Sequence, residues 1–244
     1  MNLQTRIAMW SGPRNLSTAM MRAFENRNDT TVLDEPFYAH YLQKTGLDHP
    51  GKNQILQSQS TNWMQIADEC RGPIPENKPI WYQKHMAQHN LDDCDISWIK
   101  DLHNCLLIRD PKYVITSYNK EFPIKDERLL GYIQQKEIVQ FLERENGKTP
   151  PIIDATDILK DPENMLKKLC DLIGIDFSKR MLHWPRGKRN SDGIWAPFWY
   201  RRVEESTTFL PYKKKDIRIP DDLIPIYDKC MVFYSEMYEK RLKP

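Results

Sequence analysis

Apolar and β-branched residues along this chain gather in short runs, separated by stretches in which the apolar positions recur every three or four residues. The runs Arg6–Trp10, Thr31–Leu33, Ile80–Gln83, Cys105–Ile108 and Ile152–Asp154 predict strands. Between them, residues 17–27 put Ala19, Met20, Ala23 and Phe24 on one face of a helix, and residues 127–144 carry the pattern of a long amphipathic helix. Helix signals also mark residues 111–119, with Asp110 as cap and Pro111 in the first position, and residues 161–173, where Asp161 caps, Pro162 opens and Gly174 ends the element. A last helix is predicted near residues 222–240. Strands alternating with helices predict an α/β fold, a three-layer α/β/α sandwich around a mostly parallel sheet. Residues 46–51 and 70–78, rich in Pro, Gly and Asn, are expected to be surface loops. After Phe177 the periodicity weakens while Trp, Pro and basic residues accumulate, so residues 178–220 are expected to form an irregular lid or active-site segment. No repeat or Gly/Ser linker divides the chain, and one domain over residues 1–244 is the simplest organisation.

Composition narrows the function without naming it. A length of 244 residues suits one α/β domain or two small ones, and excludes a coiled coil, a disulfide scaffold or a disordered tail. Thirty-six Lys and Arg against 34 Asp and Glu leave a net charge of +2, too balanced for a dedicated nucleic-acid binder. The distribution is uneven: residues 180–218 hold ten Lys or Arg and four acids, an excess of +6. Five widely spaced cysteines without a CxxC pair argue for a reducing compartment, against structural zinc, and for small core residues. There is no apolar run of membrane-spanning length, and residues 1–10 lack the pattern of a signal peptide, so a cytoplasmic protein with no membrane partner is expected. The mean hydropathy of −0.70 is low for a folded enzyme, but seven Trp, eleven Tyr and eight Phe supply large buried surfaces.

Two strand-to-helix junctions carry the candidate chemistry. Ile7-Ala8-Met9-Trp10 runs into Ser11-Gly12-Pro13-Arg14-Asn15-Leu16-Ser17-Thr18 and then directly into the first helical pattern. Such a junction aims free backbone N–H groups at one point, and the helix dipole adds about half a positive charge there. Arg14 adds a full charge, and Ser17 and Thr18 offer hydroxyls; the plainer alternative is an N-capped helix after a polar turn. An ATP-binding P-loop would need Gly-Lys before its Ser or Thr, and Asn15-Leu16 stands there instead, which disfavours an ordinary kinase or NTPase. The second junction is Leu106-Leu107-Ile108 into Arg109-Asp110-Pro111, with Ser117 eight residues beyond Arg109, about two helical turns on. An Arg there lies at the carboxyl edge of the sheet, where open α/β sheets bind ligands.

With Arg109, Pro111 and Ser117 in that spacing, the sequence resembles the sulfotransferases that use 3′-phosphoadenosine 5′-phosphosulfate (PAPS), most nearly the soluble, bacterial-type members. The resemblance implies a P-loop-NTPase-like fold and assigns Arg109 and Ser117 to the 3′-phosphate. The first loop is similar to the family's 5′-phosphosulfate loop, Pro-Arg/Lys-Ser-Gly-Ser/Thr-Thr: Pro13, Arg14, Ser17 and Thr18 match, while Asn15 and Leu16 replace Ser-Gly. Gly12 to Thr18 are thereby assigned to the nucleotide, although Leu resists the positive φ that Gly adopts freely. Lys188 and Arg189, ahead of Gly193-Ile194-Trp195, are the counterparts of the family's late basic residues over the nucleotide. The implied reaction moves a sulfuryl group from PAPS to the hydroxyl or amine of a small-molecule acceptor, with no metal required.

In-line displacement at sulfur calls for a base and for charge stabilisation. His85, in a Lys-x-His-like strand end, is the first candidate base, and Glu35, after the second strand, is the second. Arg14 is expected on the leaving-group side and Lys84 at the sulfuryl group. Outside this reading, His85 is an ordinary hydrogen-bonded histidine and Glu35 a helix-capping residue. His85 and His89 have i, i+4 metal-like spacing, but nothing completes a set. Aromatics such as Trp195, Trp199 and Tyr200 suit an acceptor pocket or plain packing, and Lys213-Lys214-Lys215 reads as a solvated turn. Alternative functions are an atypical nucleotide or small-molecule kinase, a non-catalytic nucleotide-binding relative, and nucleic-acid binding through the basic segment.

Overall fold

A computed structural model describes residues 4–244. The five predicted runs form strands β1 (Thr5–Ser11), β2 (Thr30–Asp34), β3 (Ile80–Met86), β4 (His103–Ile108) and β5 (Ile152–Asp154). They build one sheet in the order β2-β3-β1-β4-β5, every neighbouring pair parallel. Parallel strands need crossover helices, which cover both faces of the sheet. Alternate residues of β1 show the result: Ile7 and Met9 enter one core, Ala8 and Trp10 the other.

The first core is closed by α1 (Ser17–Glu25), which follows β1, and by α2 (Tyr38–Thr45). Helices α3 (Lys52–Ser58) and α4 (Trp63–Arg71) complete the excursion between β2 and β3, with α4 packing on the opposite face. That second face also receives α5 (Pro111–Tyr118) and α6 (Tyr132–Asn146), which lie between β4 and β5. After β5 come α7 (Ala155–Lys160) and α8 (Pro162–Ile173), the latter packed beside α1 on the first face. Helices α9 (Ala196–Trp199) and α10 (Arg201–Glu204) are single turns within residues 178–220, and α11 (Ile224–Glu239) returns to the second face.

Several caps are those the sequence signals. Asp110 and Asp161 accept hydrogen bonds from the backbone of Lys112 and Asn164, and Gly174 ends α8 at φ 82°. The helix predicted over residues 127–144 is instead broken: residues 127–130 form a 3-10 turn, Gly131 sits at φ 79°, and α6 starts at Tyr132. The break is a packing device. A Cβ on Gly12 would collide with the Leu130 carbonyl, and one on Gly131 would press on the Gly12 backbone, so the loop after β1 rests directly on this turn. Cys70 and Arg71, expected in a surface loop, close α4, and Cys70 is fully buried. Four of the five cysteines are buried and Cys94 is half-buried, all with free thiols. Among the described residues no helix is long and apolar enough to cross a membrane.

Candidate active site

The chain leaves β1 toward β2 on one side and later enters β4 on the other, so the strand order reverses at β1. Open α/β sheets bind ligands at the carboxyl ends of strands beside such a reversal. A cavity of about 320 Å³ opens there, and all five strands deliver residues to it: Pro13–Ala19 after β1, Glu35 and Tyr38 after β2, Lys84 and Met86 at the end of β3, Arg109 after β4, and Leu159 after β5.

One end of the cavity is cationic. Arg109 donates to the Arg14 carbonyl at 2.8 Å, and Arg14 Nε donates to Ser117 Oγ at 3.0 Å, so the two strand-to-helix junctions are tied to each other. Asn15 Nδ2 anchors the loop to the Leu107 carbonyl at 2.5 Å, and Gln135 bonds the carbonyls of both Trp10 and Leu107. No side chain caps the start of α1, whose first residues, Ser17, Thr18 and Ala19, line the cavity. Arg202, from α10, completes this end. Among the described residues none of Arg14, Arg109 and Arg202 lies within 4.0 Å of a carboxylate. Burial lowers the Arg14 pKa, Glu121 opposes that, and the positive Arg202 adds to it. Arg109 is lowered by burial as well, with Arg14 adding to the effect. With Arg202 acting on Arg14 and Arg14 on Arg109, three guanidinium groups around one cavity have the charge to receive a multiply charged anion.

Arg14 and Leu16 have φ of 57° and 62°. The loop therefore takes a left-handed turn at Leu16, where the sequence resemblance expects a glycine, and the strain of about 1–2 kcal/mol is borne by the anchoring bonds around it.

The other end holds a buried polar cluster. Lys84 Nζ, 1% exposed, donates to Asp34 Oδ1 at 2.9 Å, Glu35 Oε1 at 2.5 Å and the Tyr200 hydroxyl at 2.6 Å. The Glu35 backbone is pinned from three sides: its N–H donates to the Lys84 carbonyl, and its carbonyl accepts from Tyr38 N and Gln59 Nε2. These bonds hold Glu35 at φ 42°, a strained conformation for a non-glycine residue. Burial raises the Glu35 carboxyl above the usual range; Lys84 works against that shift and Asp34 with it. For Lys84, burial favours the neutral amine, but Asp34 and Glu35 outweigh it and raise its pKa. Glu35 Oε2 accepts no hydrogen bond among the described residues, which leaves it for a ligand.

The structure places three sets of expected site residues away from the cavity. His85 does not reach the cavity: it is 1% exposed, its ring stacks on Trp10 with centroids 4.3 Å apart, and Nε2 lies 3.1 Å from Gln83 Oε1. Burial pushes its pKa down to about 3, which makes it a poor proton acceptor near neutrality. Lys188 and Arg189 also lie outside the cavity. Arg189 turns to the Pro185 carbonyl and toward Glu25, 3.6 Å away, and Arg202 stands where a late basic residue was expected. Gly12 serves packing rather than lining the cavity. Asp34 and Arg202 are cluster or cavity residues that no motif singled out, and Tyr200, expected only as a pocket or packing aromatic, enters the cluster through its hydroxyl. Their only advance signal is position: an acid beside Glu35, and Tyr-Arg-Arg within the basic segment. His85 and His89 sit on a strand end and a 3-10 turn, not one helix, and among the described residues no group of three or more His, Cys, Asp or Glu is placed to hold a metal.

The buried histidines set a pH dependence of stability. Burial lowers His85 to about 3 and His49 to about 4, so both are neutral in the folded chain at pH values where the unfolded chain protonates them. Their contribution is present above about pH 6.5 and is lost as pH falls through the folded values, about 4 for His49 and about 3 for His85. Urea midpoints measured from pH 7.5 to 5 should fall with pH, and a His85→Gln variant should lose less over that range. A midpoint independent of pH would contradict the assignment.

The sulfotransferase domain model matches residues 5–241. Over 233 residues the chain is 34% identical to the branched-chain-amino-acid aminotransferase-like proteins 1 and 2 of Arabidopsis thaliana, covering 94% of this chain. It spans only 41% and 40% of the length of those two curated relatives. Among solved structures it is similar to a sulfotransferase domain from the curacin biosynthetic pathway, with a TM-score of 0.55, 13% identity and 99% of each chain covered. A sulfotransferase domain from the Synechococcus PCC 7002 olefin synthase gives a TM-score of 0.53 at 16% identity, covering 93% of this chain and 94% of that one. At these identities the structural likeness is one of fold.

Proposed function

The chain belongs to the sulfotransferase domain family, and from that premise we propose that it transfers a sulfuryl group from PAPS to a hydroxyl or amine of a small-molecule acceptor. The observation that carries the donor assignment is the convergence of Arg14, Arg109 and Arg202, free of carboxylate partners, on a cavity that also receives the uncapped start of α1. PAPS presents a 3′-phosphate, a 5′-phosphate and a sulfate, and the three cations with the helix amides match that number of anionic groups in kind. In this reading Arg109 and Ser117 hold the 3′-phosphate. Pro13 to Thr18, with Arg14 the charged member, hold the 5′-phosphosulfate. Residues 178–220 act as a lid within one sulfotransferase-like domain, and Arg202 is the lid cation that closes over the nucleotide.

When bound, the donor supplies an activated sulfuryl group whose bond to the 5′-phosphate oxygen breaks as the bond from the acceptor oxygen or nitrogen to sulfur forms. Glu35 Oε2 takes the proton that the acceptor gives up. Its raised proton affinity makes it a better base than an ordinary glutamate, while Lys84 fixes its other oxygen and lends positive charge beside the transferred group. Arg14 and the α1 amides stabilise the charge left on the 5′-phosphate, so the chain's contribution is positioning and electrostatics.

Binding to adenosine 3′,5′-bisphosphate, compared with ADP by calorimetry, tests the donor. The 3′-phosphate should give the bisphosphate the tighter binding, and equal or tighter binding of ADP would sink the proposal. Removing a charge-assisted hydrogen bond costs about 1.5–3 kcal/mol, so Arg109→Ala should weaken the bisphosphate about 10- to 100-fold. Arg202→Ala should weaken it less, Arg202 being largely exposed, and Lys188→Ala should leave it unchanged.

A further inference from the structure

Tyr200 stands between α9 and α10, 3% exposed, and its hydroxyl uses its full bonding capacity. It accepts from Lys84 Nζ at 2.6 Å and from Trp195 Nε1 at 3.1 Å. Its single proton goes to Asp34, both of whose oxygens lie 2.8 Å away; Glu35 Oε1, at 3.3 Å, is the more distant acceptor. Asp34 Oδ2 also accepts from the Gly193 N–H at 3.0 Å. Two points of the segment 193–200 therefore close on one carboxylate that belongs to the sheet. The residues flanking the second point, Trp199, Arg202 and Val203, line the cavity.

We propose that Tyr200 is a positioning residue that couples the docking of the segment 193–203 to the strength of Glu35 as a base. By donating to Asp34 it satisfies that carboxylate, so the Lys84 ammonium is shared with Glu35 rather than drawn wholly to Asp34. Three donors on Lys84 meet three acceptors, and removing the Tyr200 hydroxyl upsets the balance at every member. Asp34 loses a proton donor and competes harder for Lys84, one Lys84 hydrogen and the Trp195 N–H lose their acceptor, and Glu35 loses part of its counter-charge. The groups facing Glu35 are Asp34 from β2, Lys84 from β3, Tyr200 from the segment, and Tyr38 from α2, which stays neutral because burial pushes its pKa up. His89, near Lys84, is neutral too, its pKa lowered by burial first and by neighbouring positive charge second. With no other cation among them, loss of Tyr200's hydroxyl raises the proton affinity of Glu35. Only the catalytic consequence rests on the sulfotransferase reading; the charge balance belongs to the chain itself.

The test is a pH titration of glutamate side-chain carboxyl carbons by NMR, with the Glu35 signal assigned through Glu35→Gln. In Tyr200→Phe the Glu35 midpoint should rise by about one pH unit, and the acidic limb of kcat/KM should move by the same amount. Fluorination of Tyr200 at ring position 3, introduced by suppression, keeps every contact while making the hydroxyl a stronger donor and a weaker acceptor. The Glu35 midpoint should then move the other way, and this variant carries the test if Tyr200→Phe does not fold. An unmoved midpoint in a folded variant, with only a lower melting temperature, would overturn the proposal and leave Tyr200 a purely structural residue. Absence of sulfuryl transfer in the unmodified protein would count against the proposed function instead, with the NMR shift still deciding the role of Tyr200.

Discussion

A Glu35→Gln variant should lose about two to four orders of magnitude in kcat for sulfuryl transfer, the range in which a positioned base contributes. The substitution keeps the shape and the contact with Lys84, since the amide oxygen can still accept from Nζ, but removes the ability to take a proton. His85→Gln, measured at a temperature where the protein is folded, should retain kcat close to the unmodified value because its ring faces Trp10 and not the cavity. The pair of variants reverses the ranking of the two residues that strand-end motifs suggest. The sign of the pH dependence follows from the raised Glu35 pKa: the base works only when ionised, so kcat/KM should climb with pH through a limb that lies above the ordinary glutamate range. Retention of most of the activity in Glu35→Gln, or its collapse in a folded His85→Gln, would transfer the role to another group.

The largest effect on stability is expected at Lys84. Its ammonium is almost fully buried and is the only cation bonded to Asp34 and Glu35 among the described residues. Removing one partner from a buried ionic cluster typically costs about 3–5 kcal/mol, because the groups left behind have lost water and gained nothing. For a chain of this size that corresponds to a fall of roughly 6–20 °C in Tm for Lys84→Met at pH 7. The loss should shrink as pH falls, since protonating Glu35, whose carboxyl burial already raises, relieves part of the uncompensated charge. A triple variant, Lys84→Met with Asp34→Asn and Glu35→Gln, should recover part of the deficit, and the coupling would read the energy of the cluster itself. A cost below about 1 kcal/mol for Lys84→Met alone would mean that water or a rearranged side chain compensates the carboxylates.

The same residues show how far local sequence reaches. Arg109 and Ser117 are eight apart because one directly follows a strand and the other stands two turns into a capped helix, and that relation holds before any tertiary contact forms. Arg14, Ser17 and Thr18 were legible in the same way, and their convergence with Arg109 follows once β1 and β4 are neighbours. His85 and Lys84 carry similar local signals, being adjacent on one strand. Alternation sends Lys84 into the polar cluster and His85 into the aromatic core with Trp10, Phe37 and Trp98, which makes one a site residue and the other a packing residue. Lys188 and Arg189 stand outside the cavity for a related reason: a basic pair in an irregular segment has no periodicity to show which way it faces, and Arg189 lies beside Glu25.

By itself the sequence determined the strands, most of the long helices, the parallel layered fold and the two strand-to-helix junctions, since these depend on side-chain period, caps and short spacings. Only the tertiary structure decided which groups share the cavity. Tyr200 and Lys84 are 116 residues apart, and Asp34 and Tyr200 166, yet their polar atoms meet within 3 Å. Nothing in local propensity encodes such a meeting. It arises because burying a charged Lys84 is tolerable only where distant segments supply acceptors, and the fold brings them together at the carboxyl ends of the strands.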